Sequence, residues 1–189
     1  MNESLDLAER VFTDSEGEES GKFVRSLVEE IRSKRFYVPE MELVMVDEND
    51  SVIGYAAFSR FHLEGKYEDQ LLLLSPVAVD TKLQRQHISK ELIEEGFVRA
   101  AKMGYEAVIV EGNPQNYNAR GFKTSYNYGI VASPKINLPA VDCLMVKELV
   151  NGSLKKYKRR CRLFRLQLFN LVVYFDCLID NALPVRQKI

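Results

Sequence analysis

The sequence predicts an α/β fold in which a mixed, largely antiparallel central sheet carries helices on both faces. Three consecutive segments indicate this architecture. Residues 71–79, LLLLSPVAV, are continuously apolar, as is typical of a central strand buried on both faces. The buried face of the amphipathic helix that follows is formed by Ile88, Leu92, Ile93, Phe97 and Ala100. Residues 107–110, AVIV, are a second apolar strand, and a strand, a crossover helix and a strand predict a parallel pair.

Two helices are predicted before this pair. Residues 5–12 indicate a short helix, and residues 14–21, DSEGEESG, indicate an acidic flexible loop after it. The second helix ends before Pro39 because proline breaks a helix. Its apolar face contains Phe23, Leu27, Val28 and Ile31.

A hairpin is predicted between these helices and the central strand. Residues 43–46 and 52–60 have the composition of strands, and the polar residues 47–50 form the turn between them. Gly54 lies inside the second strand and indicates a β-bulge.

The bulk properties limit the classes of function. The chain has 189 residues and a net charge of -1, so it carries no global field that attracts nucleic acid or anionic lipid. Three cysteines, Cys143, Cys161 and Cys177, lack the spacing of metal ligands and are expected to be reduced thiols in a cytoplasmic protein. We expect no signal peptide and no membrane span, because no apolar run reaches about 18 residues.

We expect a main domain over residues 1–150 and an extension over residues 151–189. Strands at residues 122–131 and 141–149 are expected to close the sheet. The extension contains a basic run, followed by an apolar segment at residues 166–179. We favour packing of this extension on the domain or on the partner subunit of a homodimer. The alternative is a cationic surface for a membrane or nucleic acid.

The turn between the central strand and the helix is a candidate anion site, because free N–H groups converge at a helix N-terminus. Residues 84–89, QRQHIS, resemble the acetyl-CoA pyrophosphate loop of the GNAT superfamily of N-acetyltransferases, which reads Gln/Arg-x-x-Gly-x-Gly/Ala. Gln84 matches the first position, whereas His87 and Ser89 replace the two small residues. Since the backbone approaches a diphosphate closely in such a loop, His87 is the departure with the larger steric effect.

A second segment resembles the same family. Residues 112–122, GNPQNYNARGF, are similar to its motif Gly-Asp/Asn-Pro-x-Tyr-Tyr-x-Arg-Phe-Gly-Phe. The matching residues are Gly112, Asn113, Pro114, Tyr117, Gly121 and Phe122, and the departures are Asn116, Asn118, Ala119 and Arg120. Asn113 and Pro114 also fit a helix N-cap and first helical position. The resemblance covers about residues 5–150 and is strongest at about residues 71–130.

The resemblance implies that acetyl-CoA is the cofactor. Residues 74–79 resemble the family's strand whose backbone pairs with the pantetheine arm, and residues 109–111 would form the neighbouring strand. In this family the two strands splay, and the cofactor lies in the opening. The implied cofactor-binding residues are Val77, Ala78, Val79, Gln84, Arg85, Gln86, His87, Ile88, Ser89, Lys90, Asn116 and Tyr117.

The implied activity is transfer of an acetyl group to a small-molecule or peptide amine, which attacks the thioester directly. Tyr117 would be the general acid that protonates the departing thiolate, and Glu111 would activate the amine through water. His62, Glu68 and Asp69 are other candidate bases, although a structural or solvated role is more usual for such residues.

Two other classes of function stay open. The departures at His87, at Ser89 and around Tyr117 are the features expected of an inactive acyl-CoA-binding or interaction module with the same fold. The basic run alone would favour a peripheral partner of membranes or nucleic acid. We expect no nucleic acid partner and find no metal-ligand cluster in the sequence.

Overall fold

The computed structural model describes residues 2–63, 66–132, 138–157 and 162–164. The helices are α1 (Asn2–Glu16), α2 (Glu18–Ser33), α3 (Ile88–Lys102) and α4 (Pro114–Asn118). The strands are β1 (Glu42–Val46), β2 (Val52–Leu63), β3 (Lys66–Val79), β4 (Ala107–Glu111), β5 (Lys123–Thr124), β6 (Ile130–Ala132), β7 (Leu144–Glu148) and β8 (Arg162–Phe164).

The central sheet has six strands in the order β1-β2-β3-β4-β7-β5. β3 and β4 are parallel, and the other neighbours in this sheet are antiparallel. β3 therefore occupies a central position, as its continuous apolar sequence predicts. The predicted α/β class with a mixed, largely antiparallel sheet is confirmed.

Helices cover both faces of this sheet. On one face, α3 residues such as Ile93 pack with Phe58 and Leu74 of the strands. On the other face, α1 and α2 pack with Tyr55 and Ala78. The five α3 residues predicted to face inward are all buried, which confirms the helical period that was used to predict them.

The predicted acidic loop at residues 14–21 is wrong, because both helices extend into it. Gly17 alone separates α1 from α2. Its φ is 100°, a value that residues with a side chain rarely adopt. Gly21 is buried, and a Cβ atom there would lie 2.0 Å from the Thr13 hydroxyl oxygen. The glycine therefore permits the close approach of α1 and α2, which local composition does not reveal.

The hairpin is confirmed, and it also positions α3. The Asp47 carboxylate accepts hydrogen bonds from the N–H groups of Asn49 and Ser51, both at 2.9 Å, and the pairing of β1 with β2 shifts register beside Gly54. A Cβ atom on Gly54 would lie 2.6 Å from Cγ2 of Ile88. The absence of a side chain at Gly54 lets the first turn of α3 sit directly on the sheet.

The last strands differ from the prediction. Residues 122–131 do not form one strand, because β5 ends at Thr124 and a short 3-10 helix follows. β6 leaves the central sheet and pairs in parallel with β8. The predicted strand at residues 141–149 is confirmed as β7, which lies between β4 and β5.

The start of the predicted extension packs on the sheet. Leu154 and Tyr157 are buried together with residues of β3 and β4, and Nζ of Lys156 donates to Oε1 of Gln70 at 2.5 Å. The apolar segment at residues 166–179 lies outside the described residues. Among those that are described, no helix has both the length and the apolar character to cross a membrane.

Candidate active site

β3 and β4 are paired over a short length and then separate. Their paired positions are Leu71 with Ala107, Leu72 with Val108 and Leu73 with Ile109. Beyond these positions β3 continues to Val79 and β4 to Glu111. Their pairing thus ends in the region where the resemblance implies that the two strands splay.

A cleft of about 200 Å³ lies beside the end of β3. Its walls are the C-terminal half of α1, the end of β3, the loop before α3 and Arg120. Of the twelve residues predicted to bind the cofactor, those that line the cleft are Val77, Val79, Gln84, Arg85, His87, Ile88 and Ser89. The fold therefore brings the end of β3, the loop before α3 and the first turn of α3 to one surface.

Other predicted residues lie away from the lining of this cleft. Ala78 is buried among α1 and α2 residues, because alternate side chains of a strand point to opposite faces. Gln86 and Lys90 are exposed, and the carbonyl oxygen of Asn116 accepts a hydrogen bond from Arg120. The backbone N–H groups of the loop and of the first turn of α3 remain suited to bind an anion.

The loop before α3 contains two residues in the left-handed region. The φ angles are 65° at Arg85 and 66° at His87, and His87 directly precedes the first residue of α3. His87 stands where the family motif has glycine, so the backbone keeps a conformation that glycine adopts without steric cost. An L-residue in this region is destabilised by about 1–2 kcal/mol.

We expect His87→Gly to bind acetyl-CoA several-fold more tightly, because it removes the ring from the cleft, whereas relief of the backbone strain acts on stability. Asp50→Gly is the matched control, since Asp50 has a φ of 61° in the turn before β2. Both variants are expected to change the melting temperature similarly. Calorimetry should show tighter binding for His87→Gly alone, and an equal or weaker affinity would contradict the prediction.

Glu111 is a half-buried carboxylic acid at the end of β4, outside the residues that line the cleft. Burial raises the pKa of Glu111 to about 7, and its Oε1 atom has no hydrogen-bond partner among the described residues. A carboxylate with a pKa near the working pH is suited to accept a proton. The role of Glu111 as a base stays a prediction.

Tyr117 lies against Gly112, directly after β4, and neither Tyr117 nor Glu111 lines the cleft. The N-cap of α4 forms as predicted, with the Asn113 side chain accepting from the N–H group of Gln115 at 2.9 Å. The Tyr117 ring is buried and so close to Gly112 that a Cβ atom there would lie 2.6 Å from it. Both predicted residues thus lie near one end of β4, with Tyr117 packed with Val108 and Val110 on one face of the sheet.

The other candidate bases occupy a different region. His62 is buried between the rings of Phe36 and Phe61, and burial lowers its pKa, so that it is neutral at pH 7. Glu68 forms an ion pair with Arg35 at 2.9 Å. His62 lies beyond Phe61, which pairs with Leu71, whereas the cleft borders Val77 and Val79. No cluster of three side chains suited to a metal occurs in the described ranges.

Arg120 lines the cleft, whereas the sequence alone indicates only that it departs from the motif. Its Nη2 atom donates to Oγ of Ser89 at 3.1 Å, and its guanidinium carbon lies 5.9 Å from the centroid of the Tyr117 ring. Arg120 therefore connects the loop before α3 with α4. Its replacement of an apolar motif residue is the signal that could have indicated a charged role.

A family model for the acetyltransferase (GNAT) family matches residues 6–125. The chain belongs to the GNAT acetyltransferase family. The GNAT membership predicted from the two motifs is confirmed. A curated relative, the uncharacterized N-acetyltransferase YhbS of Escherichia coli K12, is 33% identical over 104 residues, which are 55% of this chain and 60% of the relative. The alignment thus covers less than two thirds of that GNAT protein.

Solved GNAT structures have the same fold. The YhbS structure from Escherichia coli in complex with CoA has a TM-score of 0.69 and 26% identity, over 87% of this chain and 89% of that chain. A GNAT acetyltransferase from Brucella melitensis in complex with acetyl-CoA has a TM-score of 0.56 and 24% identity, over 65% of this chain and 79% of that chain. The first similarity extends to β-strands beyond the family match.

Proposed function

We propose that this GNAT protein transfers an acetyl group from acetyl-CoA to an amine. The observation that carries the proposal is the cleft beside the splayed strands, which gathers the loop residues and the first turn of α3. The family membership supports the reaction class, and the complexes of similar proteins with CoA and acetyl-CoA support the cofactor.

The cofactor is expected to lie along the cleft with its pyrophosphate at the N-terminus of α3. The N–H groups of the first helical turn have no acceptor within the helix, and the helix dipole favours an anion there. The pantetheine arm would then run beside Val77 and Val79, whose side chains line the same cleft. Its amide groups can pair with the backbone of β3 where β4 no longer does.

The chemistry proposed for the other end of the cofactor uses Glu111 and Tyr117. The amine nitrogen forms a bond to the thioester carbonyl carbon, and the carbon–sulfur bond breaks. Glu111, directly or through water, receives the proton that the amine loses, and the Tyr117 hydroxyl protonates the departing thiolate. Positioning of the two reactants supplies the remaining part of the rate enhancement.

The test combines binding with turnover. Calorimetry should show that acetyl-CoA binds the wild type and that Gln84→Glu weakens the binding at least tenfold, because a negative charge is added to the cleft wall. Ser33→Glu adds the same charge at an exposed position of α2 and should leave the affinity unchanged. Release of the free thiol with a panel of small amines and peptides then measures transfer.

Each result has a definite meaning. Binding with amine-dependent thiol release supports the proposal and identifies the acceptor class. Binding without turnover for any amine would favour the inactive acyl-CoA-binding module instead. No binding at millimolar acetyl-CoA, with the melting temperature showing a folded protein, would refute both.

A further inference from the structure

Arg120 is held in place by contacts on three sides. Its Nη1 atom donates to the carbonyl oxygen of Asn116, and its Nη2 atom donates to Oγ of Ser89 at 3.1 Å. The guanidinium carbon lies 5.9 Å from the centroid of the Tyr117 ring, within the range of a cation–π interaction. These contacts place the guanidinium group in the wall of the cleft.

The charge of Arg120 is uncompensated in the part of the chain that the structure describes. It has no carboxylate within 4.0 Å there, and its buried Nε atom has no hydrogen-bond partner among the described residues. A partly buried cation beside the positive end of α3 is unfavourable unless an anion binds nearby. The orphaned donor and the charge therefore both indicate an anionic ligand.

The remaining charges of the cleft agree with this assignment. Arg85 is on the loop side, together with Arg120. The carboxylate of Glu16 is on the α1 side, where it accepts a hydrogen bond from Oγ of Ser20 at 2.5 Å. An anion is thus favoured on the loop side of the cleft and disfavoured on the α1 side.

We propose that Arg120 binds a phosphate oxygen of the acetyl-CoA pyrophosphate and that its hydrogen bond to Ser89 holds it for this role. The inference rests on the proposed function. A guanidinium group offers donors in a planar fork that matches phosphate. Ser89, in the position of a small residue of the motif, orients this fork, so that a side chain assists the backbone N–H groups of the loop.

The test compares two acetyl donors. Acetyl-CoA has the pyrophosphate, whereas S-acetylpantetheine has the same thioester without any phosphate. Arg120→Phe introduces the residue that the family motif has at this position and should raise the Kd for acetyl-CoA at least tenfold. The affinity for S-acetylpantetheine should not change. Arg120→Lys keeps the charge without the fork and should give an intermediate Kd for acetyl-CoA.

Two further measurements separate phosphate binding from a purely structural role. The dependence of the acetyl-CoA Kd on salt concentration should be weaker in Arg120→Phe than in the wild type, because one charge pair is lost. Arg99→Met is the matched control, since Arg99 is exposed on α3 and pairs with Glu95 at 2.7 Å. This control should keep the wild-type Kd and a nearly unchanged salt dependence.

The outcomes distinguish this inference from the proposed function. An unchanged acetyl-CoA affinity in Arg120→Phe, while Gln84→Glu loses binding, would overturn the role of Arg120 and leave the cofactor site intact. Equal weakening for both donors would also overturn it, since Arg120 would then only support the loop. If Gln84→Glu binds as the wild type does, acetyl-CoA lies elsewhere and the proposed site fails first. If Arg120→Phe does not fold, the affinities of Arg120→Lys for acetyl-CoA and S-acetylpantetheine distinguish the same outcomes.

Discussion

Glu111→Gln is expected to lower the rate of acetyl transfer about 10²-fold or more while the Kd for acetyl-CoA stays near the wild-type value. Loss of a positioned base typically has an effect of this size. Glutamine has the same shape but does not accept the proton of the attacking amine. Turnover with saturating amine is the measurement, and Glu48→Gln in the exposed turn before β2 is the matched control.

The pH dependence provides an independent check on Glu111. Because burial raises the pKa of Glu111 to about 7, the base is protonated and inactive below that pH. The wild-type kcat/KM should therefore fall as the pH decreases through about 7. Glu111→Gln should lack this decrease. A wild-type profile with no change near pH 7, or full activity of Glu111→Gln, would contradict the assignment.

The same raised pKa has a consequence for stability, with a definite sign. The folded protein holds the Glu111 proton up to about pH 7, whereas the unfolded chain loses it near the ordinary glutamate pKa of 4.5. The stability that Glu111 contributes is therefore fully present below pH 4.5 and is lost as the pH rises through about 7. The melting temperature of Glu111→Gln relative to the wild type should accordingly be higher at pH 8 than at pH 4. This comparison would show that the ionised Glu111 side chain destabilises the fold, although the carboxylate is necessary for turnover.

Tyr117→Phe is expected to lower turnover by about 10², because the hydroxyl that protonates the departing thiolate is removed. The Kd for acetyl-CoA should stay close to the wild-type value, which is the pattern for an interaction made only in the transition state. Tyr126→Phe, at a tyrosine that is 63% exposed, is the control.

The competing explanation for Tyr117 is a purely structural tyrosine, since its ring is 3% exposed and lies 5.4 Å from the ring of Phe122. In that case Tyr117→Phe would lower the melting temperature and leave turnover intact. A fully active Tyr117→Phe variant would contradict the assignment of Tyr117 as the general acid. The Tyr117 ring lies against Gly112, one residue after Glu111.

The two roles also divide the cofactor between two regions of the fold. In the proposed binding mode, the loop before α3 and Arg120 bind the anionic end, whereas Glu111 and Tyr117 lie near the end of β4. Arg120 contacts both, through Ser89 on one side and Tyr117 on the other. Substitutions of Arg120 are therefore expected to change the Kd for acetyl-CoA more than the rate of turnover.

Local sequence patterns predict the elements that position the site. A continuous apolar run predicts β3, a helical period predicts the buried face of α3, and their order predicts the parallel pair with β4. The motif that begins at Gly112 predicts the N-cap of α4. These predictions succeed because periodicity, capping and turn chemistry act among residues that are close in the chain.

Features that depend on residues distant in the chain become visible only in the folded protein. The acidic stretch at residues 14–21 is helical on both sides of Gly17, where Gly21 packs against Thr13 across the two helices, and β6 leaves the sheet to pair with β8. The contact of Arg120 with Ser89 joins residues 31 positions apart. Burial at the end of β4 raises the pKa of Glu111. The neighbouring residues in the sequence do not indicate this burial. Close packing and the removal of water from a side chain are properties of the assembled fold, so no local pattern encodes them.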